Sequence, residues 1–474
     1  MTLGLDRSAI ARRNGGFGAL LALVAMGCVI SGCSDLPTAT TTAPATSTTT
    51  TAAVAPEPAA GAVAIPPAGF ADAKAAQSLA QAIDERLAIM RDVAAAKWLS
   101  GAPILDATRE AAVLQQVAAR AGSLGLDPVT TQAFFAEQIR LARDLQQRWH
   151  DEWRRTGHCA PCDKPVDLQA VRERIDATNQ RQFAALYLLA PLRDEMAAAV
   201  LEQLQAIVRQ HGLPAADAAA LTAALRNVTR VAGGPALERV RATHVLRVGT
   251  TGDYAPFSLD AHGNLRGADI EMSRGLAAYL GAEPVFIRTS WPGLADDLRD
   301  GRFDVALSGI SYTDERAALG LYSAAYHAGG KTLIARCADR ARFDTPAELD
   351  RPGVRVIVNP GGTNERYVRE NVHQAQILVH PDNRGVFDEI AAGRADVMVT
   401  DDVEAELQAR RRPGQLCRTY PGTLTRGEKR ILMLRDPALQ VAVDEWLARA
   451  VAAGEPAREL ERAMRAYVSD NAAH

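Results

Sequence analysis

Cations, carboxylates and amides recur along three helix-like stretches in the N-terminal half of the chain. Arg86 and Lys97 stand in the first, Asp106, Arg109 and Glu110 open the second, and Gln138, Ala142 and Gln146 form a stripe on the third. From 86 to 97 is 11 residues, three turns plus about 20° at ~100° per residue, so both cations share one helical face. That face would otherwise continue apolar. Each arginine taken alone reads equally well as a solvated surface residue. The grouping, with Gln138 and Gln146 set among Phe134, Phe135, Ile139 and Leu145, reads instead as a pocket for a dianion. A second candidate is His158-Cys-Ala-Pro-Cys162, a CxxC that is either a redox motif or a local structural disulfide. No thioredoxin-like βαβ pattern surrounds it, which favours the structural reading. The nine His are scattered and none joins Cys at zinc-site spacing, so neither a metal nor another cofactor is expected.

These residues sit in a chain of 474, which at ~150 residues per domain makes about three units, or two once processing segments are set aside. From Ala71 to about Arg230 apolar residues recur at three and four (Leu79, Ile83, Leu87, Met90), Ala is abundant and β-branched runs are absent. Breaks fall at Ser100–Pro103, Gly122–Pro128, Thr156–Pro165 and His211–Pro214, and Asp127-Pro128 and Asp167 read as helix starts. This predicts an all-α domain of five or six helices over 69–232. After a short joint, 233–243, the pattern changes. Val245–Val248, Pro284–Ile287, Val305–Leu307, Val354–Val358, Gln376–Val379 and Val397–Val399 are short β-rich runs between helical stretches. They predict an α/β domain over 244–468 with mainly parallel sheets. Two such series joined near Lys331–Arg336 and Lys429–Leu434 predict two lobes with crossing strands, and 469–474 reads as a tail. A joint this short places the two domains in fixed contact.

The spacing Arg86-x10-Lys97, Asp106-x-x-Arg109-Glu110 and Gln138-x7-Gln146 resembles the secreted, all-helical chorismate mutases of the gamma subclass, over roughly residues 70–230. The resemblance implies a Claisen rearrangement of chorismate to prephenate, which needs no nucleophile, proton transfer, metal or cofactor. It needs a restrained dicarboxylate and donors facing the ether oxygen as that oxygen gains charge. Lys97 and Gln146 would face the oxygen, Arg86, Arg109 and Arg172 would clamp carboxylates, and Asp106 and Glu110 would orient the hydroxyl. An amide at 146 donates at any pH, whereas an acid there would have to be protonated.

In the second region Val248–Phe257, Gly267–Met272, Ser308–Arg316 and Thr400-Asp401 resemble the periplasmic amino-acid-binding proteins of type 3 solute uptake, a two-lobed, hinge-closing fold of the periplasmic-binding-protein type II class. The resemblance implies Arg316 holding a substrate carboxylate, Phe257 and Trp291 as apolar walls, and Asp253, Ser308 and Ser311 in the cleft. Asp401 would face an amino group or a polar ring substituent. Closer still, Thr289–Pro292, Gly330-Lys331-Thr332, Asn359–Glu365, His380–Asn383 and Thr400-Asp-x-x-Glu404 are similar to cyclohexadienyl dehydratase. That enzyme converts prephenate to phenylpyruvate and L-arogenate to phenylalanine. The implied acid is Glu404, with Glu365 as its rival, and a carboxylic acid serves at neutral pH only when desolvation raises its pKa. Lys331 and Arg316 would hold carboxylates, supported by Asn359, Thr363 and Asn364. Periodicity alone reads Glu404 as an ordinary residue of a helix start. The alternative from another class is a mutase fused to a non-catalytic receptor for an amino or aromatic acid, or to a domain that only senses such products. Two resemblances meeting at one metabolite, prephenate, weigh against both.

The N-terminus reads as a delivery segment. Arg7, Arg12 and Arg13 precede an apolar run ending Ile30-Ser31-Gly32-Cys33, a secretory signal over 1–33. The small residues before Cys33 resemble the lipobox of bacterial lipoproteins, which implies acylation of Cys33; ordinary cleavage is the alternative, and Arg12-Arg13 hints at twin-arginine export. Thr, Ala and Pro dominate 34–68, a flexible tether. The resulting expectation is a periplasmic protein, lipid-anchored to the outer membrane. Export permits disulfides, and with Cys28 in the signal and Cys33 lipidated, Cys159 pairs with Cys162 and Cys337 with Cys417. A net charge of 53 − 56 = −3 leaves no footprint for nucleic acid. The only long apolar run is the N-terminal one, which argues against an integral membrane protein. Self-association of either domain is compatible with the sequence.

Overall fold

Apolar spacing and capping residues set the helical half. The computed structural model describes residues 70–163, 166–231 and 234–471; the signal, Cys33 and the tether lie outside them. Helix α1 (Ala71–Ser100) buries Leu79, Ile83, Leu87 and Met90 and stops at Gly101, whose φ of 69° suits the left-handed residue that closes a helix. The carboxylates of Asp106, Asp127 and Asp167 cap α2 (Ala107–Ser123), α3 (Pro128–Thr156) and α4 (Leu168–Leu189), each accepting a backbone N–H of the first turn. Helices α5 (Asp194–Gln210) and α6 (Ala215–Arg226) complete the domain. The break between α4 and α5 is absent from the sequence reading. It falls at Pro191, which has no N–H to continue the helix. Between α3 and α4 a 3₁₀ turn, Ala160–Asp163, carries the Cys159–Cys162 disulfide, packed with Ala94, Ala95 and Trp153.

The stretch expected as a joint contains a helix, α7 (Ala236–Thr243), because Ala236, Leu237 and Val240 face the α/β core. The first lobe holds β1 (Val245–Thr250), a small antiparallel sheet of β2 (Asp253–Tyr254), β3 (Ser258–Ala261) and β4 (Asn264–Arg266), then α8 (Ala268–Tyr279), β5 (Glu283–Arg288), α9 (Leu294–Arg299), β6 (Val305–Ala306), α10 (Asp314–Ala317) and β7 (Leu321–Gly329). The second lobe holds β8 (Lys331–Arg336), β9 (Arg355–Val358), α11 (Thr363–Asn371), β10 (Gln376–Val379), α12 (Val386–Ala391), β11 (Val397–Asp401), α13 (Asp402–Arg411) and β12 (Leu416–Arg418). The chain then returns to the first lobe as β13 (Gly427–Met433), α14 (Pro437–Ala452) and α15 (Glu455–Asn471), so the expected tail begins as helix through Asn471, its last three residues lying outside those described.

Strand orders are β5-β1-β6-β13-β7 and β10-β9-β11-β8-β12. The sheets are mixed rather than mainly parallel: β1, β5 and β6 run parallel, as do β9, β10 and β11, while β13, β7, β8 and β12 pair antiparallel. The antiparallel strands are those next to the crossings. The chain passes between sheets at Gly330 and again after Arg418, and each crossing strand must reverse to join the sheet it enters. The Cys337–Cys417 disulfide ties the start of the turn after β8 to β12.

The helical core continues into the first lobe: Val245, Val285 and Ile287, from β1 and β5, are buried in the same cluster as α1, α3 and α4 side chains. Each such aliphatic burial contributes about 1.5–3 kcal/mol. Phe70 forms a bridge with Phe286, and Arg302 pairs with Asp72 at 3.2 Å and Arg193 with Asp300 at 3.3 Å. Helical domain and first lobe therefore share one core.

Candidate functional site

The first site lies between α1, α2, α3 and α4. Arg86, Lys97, Asp106, Arg109, Glu110, Gln146 and Arg172 all line one cavity of about 340 Å³. Arg86 is buried; its Nη1 donates to Asn179 Oδ1 at 2.7 Å, and its buried Nε has no partner. Burial lowers the Arg86 pKa and Asp176 partly offsets this. Lys97 Nζ donates to the Ile104 carbonyl at 2.6 Å. Burial also lowers its pKa, with Asp106 and Glu110 opposing. Asp106 has two tasks, since its carboxylate also caps α2 by accepting from Arg109 N at 3.0 Å. Gln146 is buried, its Nε2 donating to Ala142 O at 3.0 Å while Oε1 has no partner. Gln138, the other member of that stripe, turns away and donates to Gln182 Oε1 at 2.8 Å.

Sequence reasoning missed Asn179, Asp176 and Arg143, which line the same cavity. Arg143 Nη1 reaches Glu110 at 3.3 Å. Both Asp176 and Asn179 follow Arg172 at helical spacing on α4, and that i, i+4, i+7 series was the available signal.

The second site lies between the lobes. Its tightest part, about 20 Å³, is lined from the first lobe by Tyr254, Trp291, Ser311, Arg316 and Lys429 and from the second by Asn359, Thr363, Asn364, Asn383 and Asp401. It opens into a space of about 220 Å³ bordered by Lys331, His327 and Arg366. At its centre Asp401 holds two buried ammonium groups, Lys331 Nζ at 2.7 Å and Lys429 Nζ at 2.6 Å, and accepts from Tyr254 OH. Burial works against the Asp401 charge, yet the two lysines hold its pKa well below the usual carboxylate range. Lys331 Nζ also donates to Thr363 Oγ1 at 2.8 Å and to Asn364 Oδ1, and Lys429 Nζ to Ser311 Oγ at 3.0 Å. Arg316 is buried, one N–H on the Ser311 carbonyl at 3.3 Å, and its pKa is lowered by burial. With two lysines and an arginine against Asp401, this cleft favours an anion.

Glu404 is 2% exposed in the first turn of α13; it is not among the residues that line the cleft but lies one turn along from Asp401, and Thr400 Oγ1 donates to its Oε2. Asn364 Nδ2 donates to Thr400 Oγ1 at 3.2 Å, linking Glu404 to the Lys331 cluster. Its pKa is raised to about 8, by burial first, with the Thr400 hydrogen bond opposing and the Asp401 charge adding. The rival Glu365 is a paired anion: it accepts from Gly361 N at 2.7 Å and from Arg369 at 2.7 Å, and its pKa is lowered. Asp253 lies beside the cleft, accepting from Trp291 Nε1 at 3.1 Å, and burial raises its pKa.

Two expectations are corrected. Ser308 is fully buried and does not line the cleft; its hydroxyl meets Thr251 Oγ1 at 2.8 Å and Ser258 Oγ at 2.6 Å, and accepts from Thr251 N, tying β1 to the turn after β6. Phe257 is 1% exposed and lies beneath Tyr254, so Tyr254 and Trp291 form the wall. Gly309 is required above it: φ is +62°, and a Cβ there would sit 2.6 Å from both Phe257 and Tyr254. Lys429, Tyr254, Asn383, His327 and Arg366 are among the site residues not singled out from sequence. No group of His, Cys, Asp and Glu able to hold a metal ion occurs among the described residues.

Comparison with known proteins divides the chain at the same place. Residues 75–147 match the family Chorismate mutase type II, and residues 246–464 match Bacterial extracellular solute-binding proteins, family 3. Cyclohexadienyl dehydratase of Pseudomonas aeruginosa is 48% identical over 213 residues, covering 44% of this chain and 79% of that protein. The L-cystine-binding protein TcyJ of Escherichia coli K12 is 29% identical over 170 residues, 36% of this chain and 63% of that one. Among solved structures, an ancestral amino acid-binding protein described as a precursor of cyclohexadienyl dehydratase is 30% identical, with a TM-score of 0.45 over 49% of this chain and all of its own.

Proposed function

Because the chain belongs to the cyclohexadienyl dehydratase family and carries a chorismate mutase domain ahead of that region, we propose that one protein performs two consecutive reactions. It converts chorismate to prephenate, and prephenate to phenylpyruvate or arogenate to phenylalanine. It is a periplasmic enzyme of phenylalanine biosynthesis. Cys33 anchors it to a membrane through the tether.

In the first reaction the ether C–O bond breaks as a C–C bond forms within one molecule, so no proton is moved. Arg86, Arg109 and Arg172 hold the two carboxylates. Lys97 donates to the ether oxygen as negative charge grows there, the step a fixed cation accelerates most. Gln146 donates alongside it once its amide turns Nε2 from the Ala142 carbonyl into the cavity, exchanging that hydrogen bond for one to the ether oxygen.

In the second reaction the ring carboxylate leaves as CO2, its bonding electrons enter the ring, and the C4 hydroxyl leaves as water. Arg316, Lys331 and Lys429 hold the carboxylates. Glu404 gives its proton to the leaving hydroxyl and is reprotonated from solvent. The observation that carries the reading is Glu404: a buried carboxyl with a raised pKa beside an anion-binding cleft serves an acid catalyst, and a transport receptor gains nothing from it.

The two halves are tested separately. Purified protein given chorismate should lose activity on Arg86→Ala while still consuming added prephenate. Prephenate left untouched by the wild type would assign the second domain to a receptor.

A further inference from the structure

A third cavity, of about 550 Å³, lies where the helical domain meets the first lobe, and neither reaction uses it. Five arginines line it: Arg230, Arg239, Arg247, Arg299 and Arg435. The nearby carboxylates are already engaged. Asp304 pairs with Arg239 at 2.7 Å and Arg247 at 2.6 Å, Asp296 with Arg299 at 2.7 Å, and Asp300 with Arg193 at 3.3 Å.

Arg230 and Arg435 are left over. Among the described residues neither has a carboxylate partner. Arg230 donates to the carbonyls of Ala190 and Tyr187, and its buried Nη1 has no partner at all; Arg239 Nε is buried and unpartnered too. Arg435 donates to the carbonyls of Ala317 and Ala318. Arg230 and Arg247 also lie over the same Tyr187 ring, 5.4 and 5.1 Å from its centroid, so two like charges are held close. Burial and the Arg247 charge both lower the Arg230 pKa. Holding cations together this way costs stability unless an anion joins them. Pro191, Leu298, Leu319 and Leu434 give the wall its apolar part; Thr229 and Asp300 also line it, the Asp300 carboxylate being the one already paired with Arg193.

We propose that this junction cavity binds a small organic carboxylate with an apolar body and no cationic group. The guanidinium groups of Arg230 and Arg435 take the carboxylate, and the leucines and Pro191 cover the body. An ammonium would meet the arginine cluster, so the site rejects amino acids and accepts the corresponding oxo or hydroxy acids. Phenylpyruvate, the product under the reading above, fits this description. 3-Phenylpropionate fits it without depending on that reading and is the probe.

The test is calorimetric titration of 3-phenylpropionate into the purified chain and into Arg435→Gln and Arg316→Gln. Arg435 is exposed on its outer side, so its replacement leaves the fold intact, which circular dichroism checks. The expected result is a binding event that Arg316→Gln retains and Arg435→Gln weakens tenfold or more, separate from any event at the cleft that Arg316→Gln removes, with phenylalanine producing no event that Arg435→Gln weakens. An Arg435→Gln isotherm that superimposes on the wild type, or loss of all binding in Arg316→Gln, overturns the proposal.

Discussion

Replacing Glu404 by Gln isolates the proton from every other property of that side chain. With a pKa raised to about 8, the carboxyl is protonated about tenfold over its anion at pH 7. The native group is thus already neutral, and a neutral amide of the same shape takes its place. Gln still accepts from Thr400 Oγ1, so the link through Asn364 to Lys331 persists. Thermal unfolding should therefore be within about 0.5 kcal/mol of the wild type. The catalytic effect is larger. A positioned general acid contributes about 10²–10⁴ in rate, or roughly 2.7–5.4 kcal/mol at 1.36 per tenfold. Dehydratase kcat should fall by that factor, and KM should change less than about threefold because Arg316, Lys331 and Lys429 remain. The pH profile supplies the sign. Wild-type kcat should be level below pH 8 and fall tenfold per unit above it, as the acid loses its proton; the residual activity of the variant should be flat across the same range. A variant keeping more than a tenth of wild-type kcat, or one whose activity still falls above pH 8, would refute the assignment.

Mutase activity should stay nearly flat from about pH 5.5 to 8.5, since the cavity donors are cations and an amide, and Lys97→Ala should lower its kcat by about 10²–10³, the effect of losing one donor to a charged oxygen; both are read from the rate of chorismate loss. Asp401→Asn should leave Lys331 and Lys429 without their shared anion and cost about 3–5 kcal/mol in urea unfolding at pH 7. Because the Asp401 pKa is depressed in the folded protein, the gap between wild type and variant should shrink as pH falls below the unfolded value of about 3.9. Loss of the Cys337–Cys417 disulfide, which spans 80 residues, should cost about 4 kcal/mol, against about 2 for Cys159–Cys162, which spans three; paired serine variants and chemical denaturation decide this.

The mutase cavity was legible because its residues repeat at helical spacing, and the period of a helix places side chains on a face. Arg86 and Lys97 share such a face, and Asp106 and Glu110 follow a helix start. Asn179 and Asp176 follow the same rule but lay outside the stretches that drew notice. Ser308 shows the limit of a motif: it belongs to a recognisable run, yet a small hydroxyl between β1 and its neighbours is used to tie backbone, and only burial reveals that. The contrast between Glu404 and Glu365 was likewise invisible in sequence. Both open helices, but Glu404 is buried with only Thr400 Oγ1 on its carboxyl, whereas Glu365 turns to Gly361 N and Arg369, so one carboxyl is desolvated and the other is paired. Lys429 could not be found locally, because it reaches Asp401 from the return strand β13. The helix at Ala236–Thr243 was hidden by its flanking Gly and Pro, although its apolar side chains complete the first-lobe core.

The most direct test of the whole account is a single incubation of the wild-type protein with chorismate and no added metal or cofactor, with chorismate, prephenate and phenylpyruvate quantified together over time. The account predicts that chorismate disappears, prephenate rises and then falls, and phenylpyruvate accumulates to the amount of chorismate consumed. Accumulation that stops at prephenate contradicts it, and chorismate left unchanged contradicts it at the first step.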